Sequence, residues 1–121
     1  MKYLVKFVNL EEDDKDIIVS FAIQDSEIDV RSLILHRTLF LEEMLNEEER
    51  GVIVSLEGEN IENENANTLS KIEINNSEIN IITKYSKYKL DVTKIDDKDK
   101  ENIVNLVTRQ NYDNRFVIEV S

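Results

Sequence analysis

The chain has 121 residues and carries 26 carboxylates against 15 Lys and Arg, a formal net charge of −11. That length suits one domain with a modest core, and a pI near 4.5 argues against duplex nucleic acid as a direct partner, since phosphates would be repelled. No apolar run reaches the roughly 18 residues of a membrane span, the N-terminus lacks a signal-peptide pattern, and the absence of Cys leaves no disulfide and no thiolate metal site. A cytoplasmic protein with no membrane association is the expectation.

The charge is not spread evenly. Residues 1–64 hold 17 carboxylates and 6 Lys or Arg, whereas residues 65–121 hold 9 of each. Such asymmetry suggests a negative face presented to something positive, provided the fold keeps those segments together.

Tyr3, Val5 and Phe7 alternate with Lys2, Leu4 and Lys6, which predicts a first strand at about residues 2–9. Glu11 to Asp16 is an acidic run that reads as a solvated loop. Ile17 to Ile23 is β-branched and aromatic, a second strand, and Gln24 to Asp29 is a turn. Ser32 to Leu39 is an apolar run broken by His36 and Arg37, which predicts a strand covered on both faces. Leu41, Met44 and Leu45 have helical spacing, so a short helix or turn is expected over 41–49, ended near Gly51. Core packing is the expected role of Met44 and Leu45, with an apolar partner anchor as the other reading. Gly51 opens a strand over 52–56, and Gly58 to Thr68 reads as a long polar loop.

Leu69 to Ile74, the pair Asn75-Asn76, and Ser77 to Ile82 read as a β-hairpin, because Asn tolerates the left-handed backbone of a tight turn. Tyr88, Leu90 and Val92 alternate as another strand. Asp96 or Asp97 can cap a helix over about 97–109, whose apolar stripe is Ile103, Leu106 and Val107. Phe116 to Val120 closes the chain as a strand. The expected fold is a single α+β domain: a mostly antiparallel sheet of about seven or eight strands with one helix packed on it from the second half of the chain.

Little here speaks for chemistry. His36 is the sole histidine and has no Ser or Cys nucleophile at motif spacing, so it reads as a structural or surface residue. Neither Glu11 to Asp16 nor Glu57 to Glu62 has the ligand spacing of a calcium loop. The two glycines, Gly51 and Gly58, do not form a phosphate-cradling loop. No catalytic residue, metal or cofactor is expected. The acidic segments remain, and they are the candidate partner-binding residues: Glu42, Glu43, Glu47, Glu48 and Glu49 first, then Glu57, Glu59, Glu62, Asp13 and Asp14. Arg37 has two readings, an ion pair holding its strand in place or a partner contact.

Residues Ile17-Ile18-Val19-Ser20-Phe21-Ala22, Asp25-Ser26-Glu27 and Leu33-Ile34-Leu35-His36-Arg37 resemble the early block of the immunity protein 10 family of bacterial polymorphic toxin and contact-dependent inhibition systems. There a strand ending in Phe and a small residue precedes a strand of the form Leu-Ile-Leu-Gln-Arg; His36 stands here in place of the Gln. The resemblance covers roughly residues 16–108. It departs at Asn65-Ala66-Asn67, where the family has a glycine-rich step, and it does not include Phe116 to Val120. It implies a cytoplasmic antidote that binds a cognate toxin domain, commonly a nuclease, and blocks it stoichiometrically without catalytic residues. A basic nuclease would suit the acidic surface. Two other readings stand beside it: an acidic mimic of nucleic acid that inhibits a DNA-binding protein, and a structural module whose edge strand pairs with another copy, leaving a homodimer open.

Overall fold

The structure, a computed structural model, describes residues 2–24, 26–27, 29–59 and 66–121. Among these residues eight strands form one sheet: β1 (Lys2–Glu12), β2 (Asp16–Gln24), β3 (Val30–Thr38), β4 (Ile53–Leu56), β5 (Leu69–Ile74), β6 (Glu78–Thr83), β7 (Lys87–Asp91) and β8 (Val117–Val120). One helix, α1 (Asp97–Gln110), lies between β7 and β8 in the chain. The strand order is β4-β3-β2-β1-β7-β6-β5-β8, with β1–β7 and β5–β8 parallel and the other pairs antiparallel. This is the α+β class expected, down to the hairpin at Asn75-Asn76 and the late helix.

The strands bury one face: Val19, Phe21 and Ile23 of β2, Leu33 and Leu35 of β3, Ile72 of β5, Ile79 and Ile81 of β6, and Leu90 of β7 join Ile103, Leu106 and Val107 of α1 in the core. Each such side chain gains about 1.5–3 kcal/mol on leaving water. The helix starts where Asp96 accepts the Asp99 N–H at 2.7 Å, and its last turn carries Arg109, which pairs with Glu12 at 2.6 Å.

Several expectations needed correction. A register shift between Val5 and Phe7 reverses the alternation of β1. Val5 stays in the core, Phe7 turns outward, and Val8 and Leu10 take over the inner face. An extra residue in a period of two does this necessarily. Because Leu10 packs inward, β1 runs on to Glu12, so Glu11 and Glu12 belong to a strand rather than a loop. Strand β3 buries Leu33, Leu35 and Arg37 on one face, while Ile34 and His36 on the other are only half-buried. The 41–49 segment holds two single turns of 3-10 helix, Glu42–Met44 and Glu47–Glu49. The predicted loop over 58–68 lies outside the described residues from 60 to 65.

The sheet bends until its flanks meet. The N–H of Val54 donates to the Asn67 carbonyl at 3.0 Å, and the N–H of Leu69 to the Val52 carbonyl at 2.8 Å. The buried side chain of Asn67 locks this seam: its amide donates to the Val54 carbonyl, and its oxygen accepts from the Thr83 hydroxyl and the Tyr85 N–H. Gly51, just before β4, has φ +106°, and a β-carbon there would lie 3.3 Å from Cδ of Arg115, so both backbone and space favour glycine.

Candidate functional site

Asp13 shapes the turn between β1 and β2. Its carboxylate accepts the N–H groups of Lys15 and Asp16, each at 2.8 Å, and these bonds hold its carboxyl below its ordinary pKa. The carbonyl of Lys15 in turn accepts the N–H groups of Leu39 and Phe40, at 2.7 and 3.3 Å. The β1–β2 turn is therefore fastened to the chain leaving β3, and the acidic segments 11–16 and 42–49 meet at one end of the sheet.

Beneath that end lies Arg37, the last buried residue of β3, with 0% exposure. Its guanidinium has five N–H donors, and five hydrogen bonds occupy it. Nε and Nη2 reach Glu42 at 2.9 and 2.5 Å; Nη1 and Nη2 reach Asp113 at 2.7 and 2.9 Å; Nη1 also reaches the Gln110 carbonyl at 2.8 Å. The Tyr112 ring sits 4.0 Å from the guanidinium carbon, and its hydroxyl donates to Glu42. Burial works against the Arg37 charge, but the carboxylates of Asp113 and Glu42 outweigh it and raise the pKa further. The Arg37 bonds also hold Asp113 well below the usual carboxylate range. Gln110 completes the joint: its side-chain amide donates to the carbonyls of Ile17 and Leu35.

Of Arg37's two readings, the structural ion pair is the one present. Glu42 corrects an expectation with it: proposed first among the partner contacts, it is only 8% exposed and its carboxylate is committed to Arg37. It braces the acidic end from below.

The other candidates divide by position. Asp13, Asp14, Glu43, Glu47 and Glu48 are exposed at this end, with Glu49 half-buried beside them. Glu47 is partly neutralised by Arg115 at 3.1 Å and Arg50 at 3.6 Å. Glu57 and Glu59 lie at the opposite end of β3 and β4. There Glu57 accepts the Ser32 N–H at 3.1 Å and Glu59 accepts the Tyr88 hydroxyl at 2.5 Å. Burial and that Glu59 bond push the Tyr88 phenol up to about 12. The acidic segments thus form one cluster at the first end and a separate pair at the other, and Glu62 lies outside the described residues.

Of the apolar residues that stand among the carboxylates, sequence reasoning named Met44 as an anchor only behind a core role, and it missed Phe40 and Leu41. Phe40, Leu41 and Met44 are 68%, 47% and 82% exposed, so Met44 has no core role, while Leu45 is half-buried. The signal lay in the run Phe40-Leu41-Glu42-Glu43-Met44, where apolar and acidic residues are too closely interleaved for a core stripe. His36 bonds Asp16 at 2.7 Å near this end. Among the described residues no three His, Cys, Asp or Glu side chains converge as metal ligands would, and no helix is long and apolar enough to cross a membrane.

Comparisons of the chain with protein-family models, with curated proteins and with solved structures found no match in any of the three.

Proposed function

We propose that this chain is an immunity protein: a cytoplasmic, stoichiometric antidote that binds a cognate bacterial toxin domain, a basic nuclease, and holds it inactive. The observation that carries the reading is the meeting of the Asp13-Asp14 turn with the Glu43–Glu49 segment at one end of the sheet, braced by a saturated Arg37. A nuclease needs a cationic groove for its substrate, and a negative end of this kind would steer association with it, speeding encounter by about 10–10³ at low salt.

The resemblance in residues 16–108 supports the same assignment. A mimic of nucleic acid fits less well, because exposed Phe40, Leu41 and Met44 interrupt the carboxylates where a phosphate-like row would be continuous.

The test is to co-express the tagged chain with the product of the adjacent open reading frame and to follow growth when that neighbour is induced alone. Tight 1:1 recovery, with toxicity relieved by this chain, is the expected result. A harmless neighbour that does not bind would overturn the assignment.

A further inference from the structure

The exposed apolar residues at the acidic end name the kind of surface that fits there. Phe40, Leu41 and Met44 are exposed in the connection after β3, at the same end of the sheet as the exposed Asp13, Asp14, Glu43, Glu47 and Glu48. We infer that Phe40, Leu41 and Met44 are the apolar anchor of a docking surface whose occupant is a protein pocket lined by apolar side chains and rimmed by Lys and Arg. This deepens the reading above and rests on it for the partner's identity, though not for the partner's chemistry.

Three observations select that occupant. Strongly bound interfaces concentrate their energy in a few apolar or aromatic anchors, with a polar rim that excludes water; the arrangement here has that form. The rim's sign selects the partner. A second copy of this chain would set carboxylates against carboxylates, and an anionic lipid surface or a nucleic acid would be repelled in the same way. Lys15 lies 5.8 Å over the Phe40 ring, Arg50 donates to the Glu43 and Leu45 carbonyls and pairs with Glu47, and Arg115 pairs with Glu47 and Asp113. These three cations do not outweigh Asp13, Asp14, Glu43, Glu47, Glu48 and Glu49.

The third observation is rigidity. Met44 N–H bonds the Leu41 carbonyl at 3.0 Å within the first 3-10 turn, and Glu42 in the same turn is held by Arg37. Leu39 and Phe40 are tied to Lys15. The anchor is presented on a fixed support, which lowers the ordering cost of binding. Carboxylates on the rim would set the rate of encounter, and the anchor would set the rate of escape.

The experiment uses the full chain and two synthetic peptides of equal length and charge, one alternating Leu with Lys and the other alternating Ser with Lys. Met44 is one of only two methionines in the sequence, so methyl-labelled methionine gives a resolvable reporter inside the site. At a salt concentration near 0.15 M, the Leu-Lys peptide should bind at least about tenfold more tightly than the Ser-Lys peptide and should shift the Met44 methyl signal. The double variant Phe40→Ser, Met44→Ser replaces exposed side chains; it should keep its fold and its Ser-Lys binding while losing the preference for Leu-Lys. Equal binding of the two peptides, a Met44 signal that does not move, or a preference that survives the double variant would overturn the inference. Failure of the immunity assignment would show separately, as a neighbour that neither binds nor poisons.

Discussion

Arg37 and Asp113, 76 residues apart, face each other through two parallel hydrogen bonds of 2.7 and 2.9 Å. This fork ties the end of β3 to the loop after α1, and Glu42 closes the opposite side of the same guanidinium. Replacing Arg37 with Met should destabilise the protein by about 3–5 kcal/mol, because two carboxylates lose a buried partner. Arg37→Lys should recover only a minor part, since an ammonium cannot reproduce a five-donor planar fork. Urea unfolding followed by circular dichroism measures both; a loss below about 1 kcal/mol would contradict the clamp.

Asp113 gives the protein an acid-sensitive joint. Its folded pKa lies below its ordinary value of 3.8, chiefly through the Arg37 bonds. A carboxyl with a depressed folded pKa contributes stability above the unfolded value and loses it as pH falls through the folded one. Wild-type stability should therefore decline from about pH 4 downward, and Asp113→Asn should be less stable at neutral pH but flatter in acid. Unfolding free energies measured across that range with parallel slopes would refute the assignment.

Asn67 should matter more than an asparagine at the edge of a polar segment usually does. Its side chain donates to Val54 and accepts from Thr83 and Tyr85 at the closure of the sheet. Asn67→Ala should cost about 2–4 kcal/mol. It should also speed hydrogen exchange of the Val54 and Leu69 amides, which cross the seam. Exchange unchanged at those two amides would show that the seam does not depend on Asn67.

Tyr88 should titrate late. With its phenol pushed up to about 12 by burial and by the Glu59 bond, wild-type stability should begin to fall above pH 10, the ordinary value, and go on falling toward 12. Ultraviolet difference spectra of wild type against Tyr88→Phe isolate this tyrosine, and Glu59→Gln should move its midpoint downward. A Tyr88 midpoint near 10 in the wild type would contradict the packing described.

Much of the fold was legible in the sequence because its strands alternate with a period of two and its helix is capped by an acid. The hairpin at Asn75-Asn76 and α1 lie nearly where their residues place them. The β1 bulge was not legible: Tyr3, Val5 and Phe7 keep a regular period, and only pairing with β2 reveals the register shift that turns Phe7 outward. Nor was the seam, since Asn67 lies between a polar run and a strand and its partners are distant in sequence. For the site, the abundance of carboxylates was plain but their grouping was not. Glu42 and Glu43 are identical neighbours in composition, yet one is buried on Arg37 and the other faces water. What separates them is which side of the 3-10 turn faces Arg37, five residues upstream, and Tyr112, which arrives from beyond α1.

The most direct test of the account is growth rescue against the adjacent gene product, comparing wild type with a variant carrying Asp14→Asn, Glu43→Gln and Glu48→Gln. These carboxylates are exposed, so the variant should fold as wild type does. Wild type should restore growth, whereas the variant should restore it poorly and associate about 10–10³ times more slowly at low salt. A wild-type chain that fails to rescue, or a neutralised variant that rescues and associates as well as wild type, would contradict the claim that this acidic end captures a toxin.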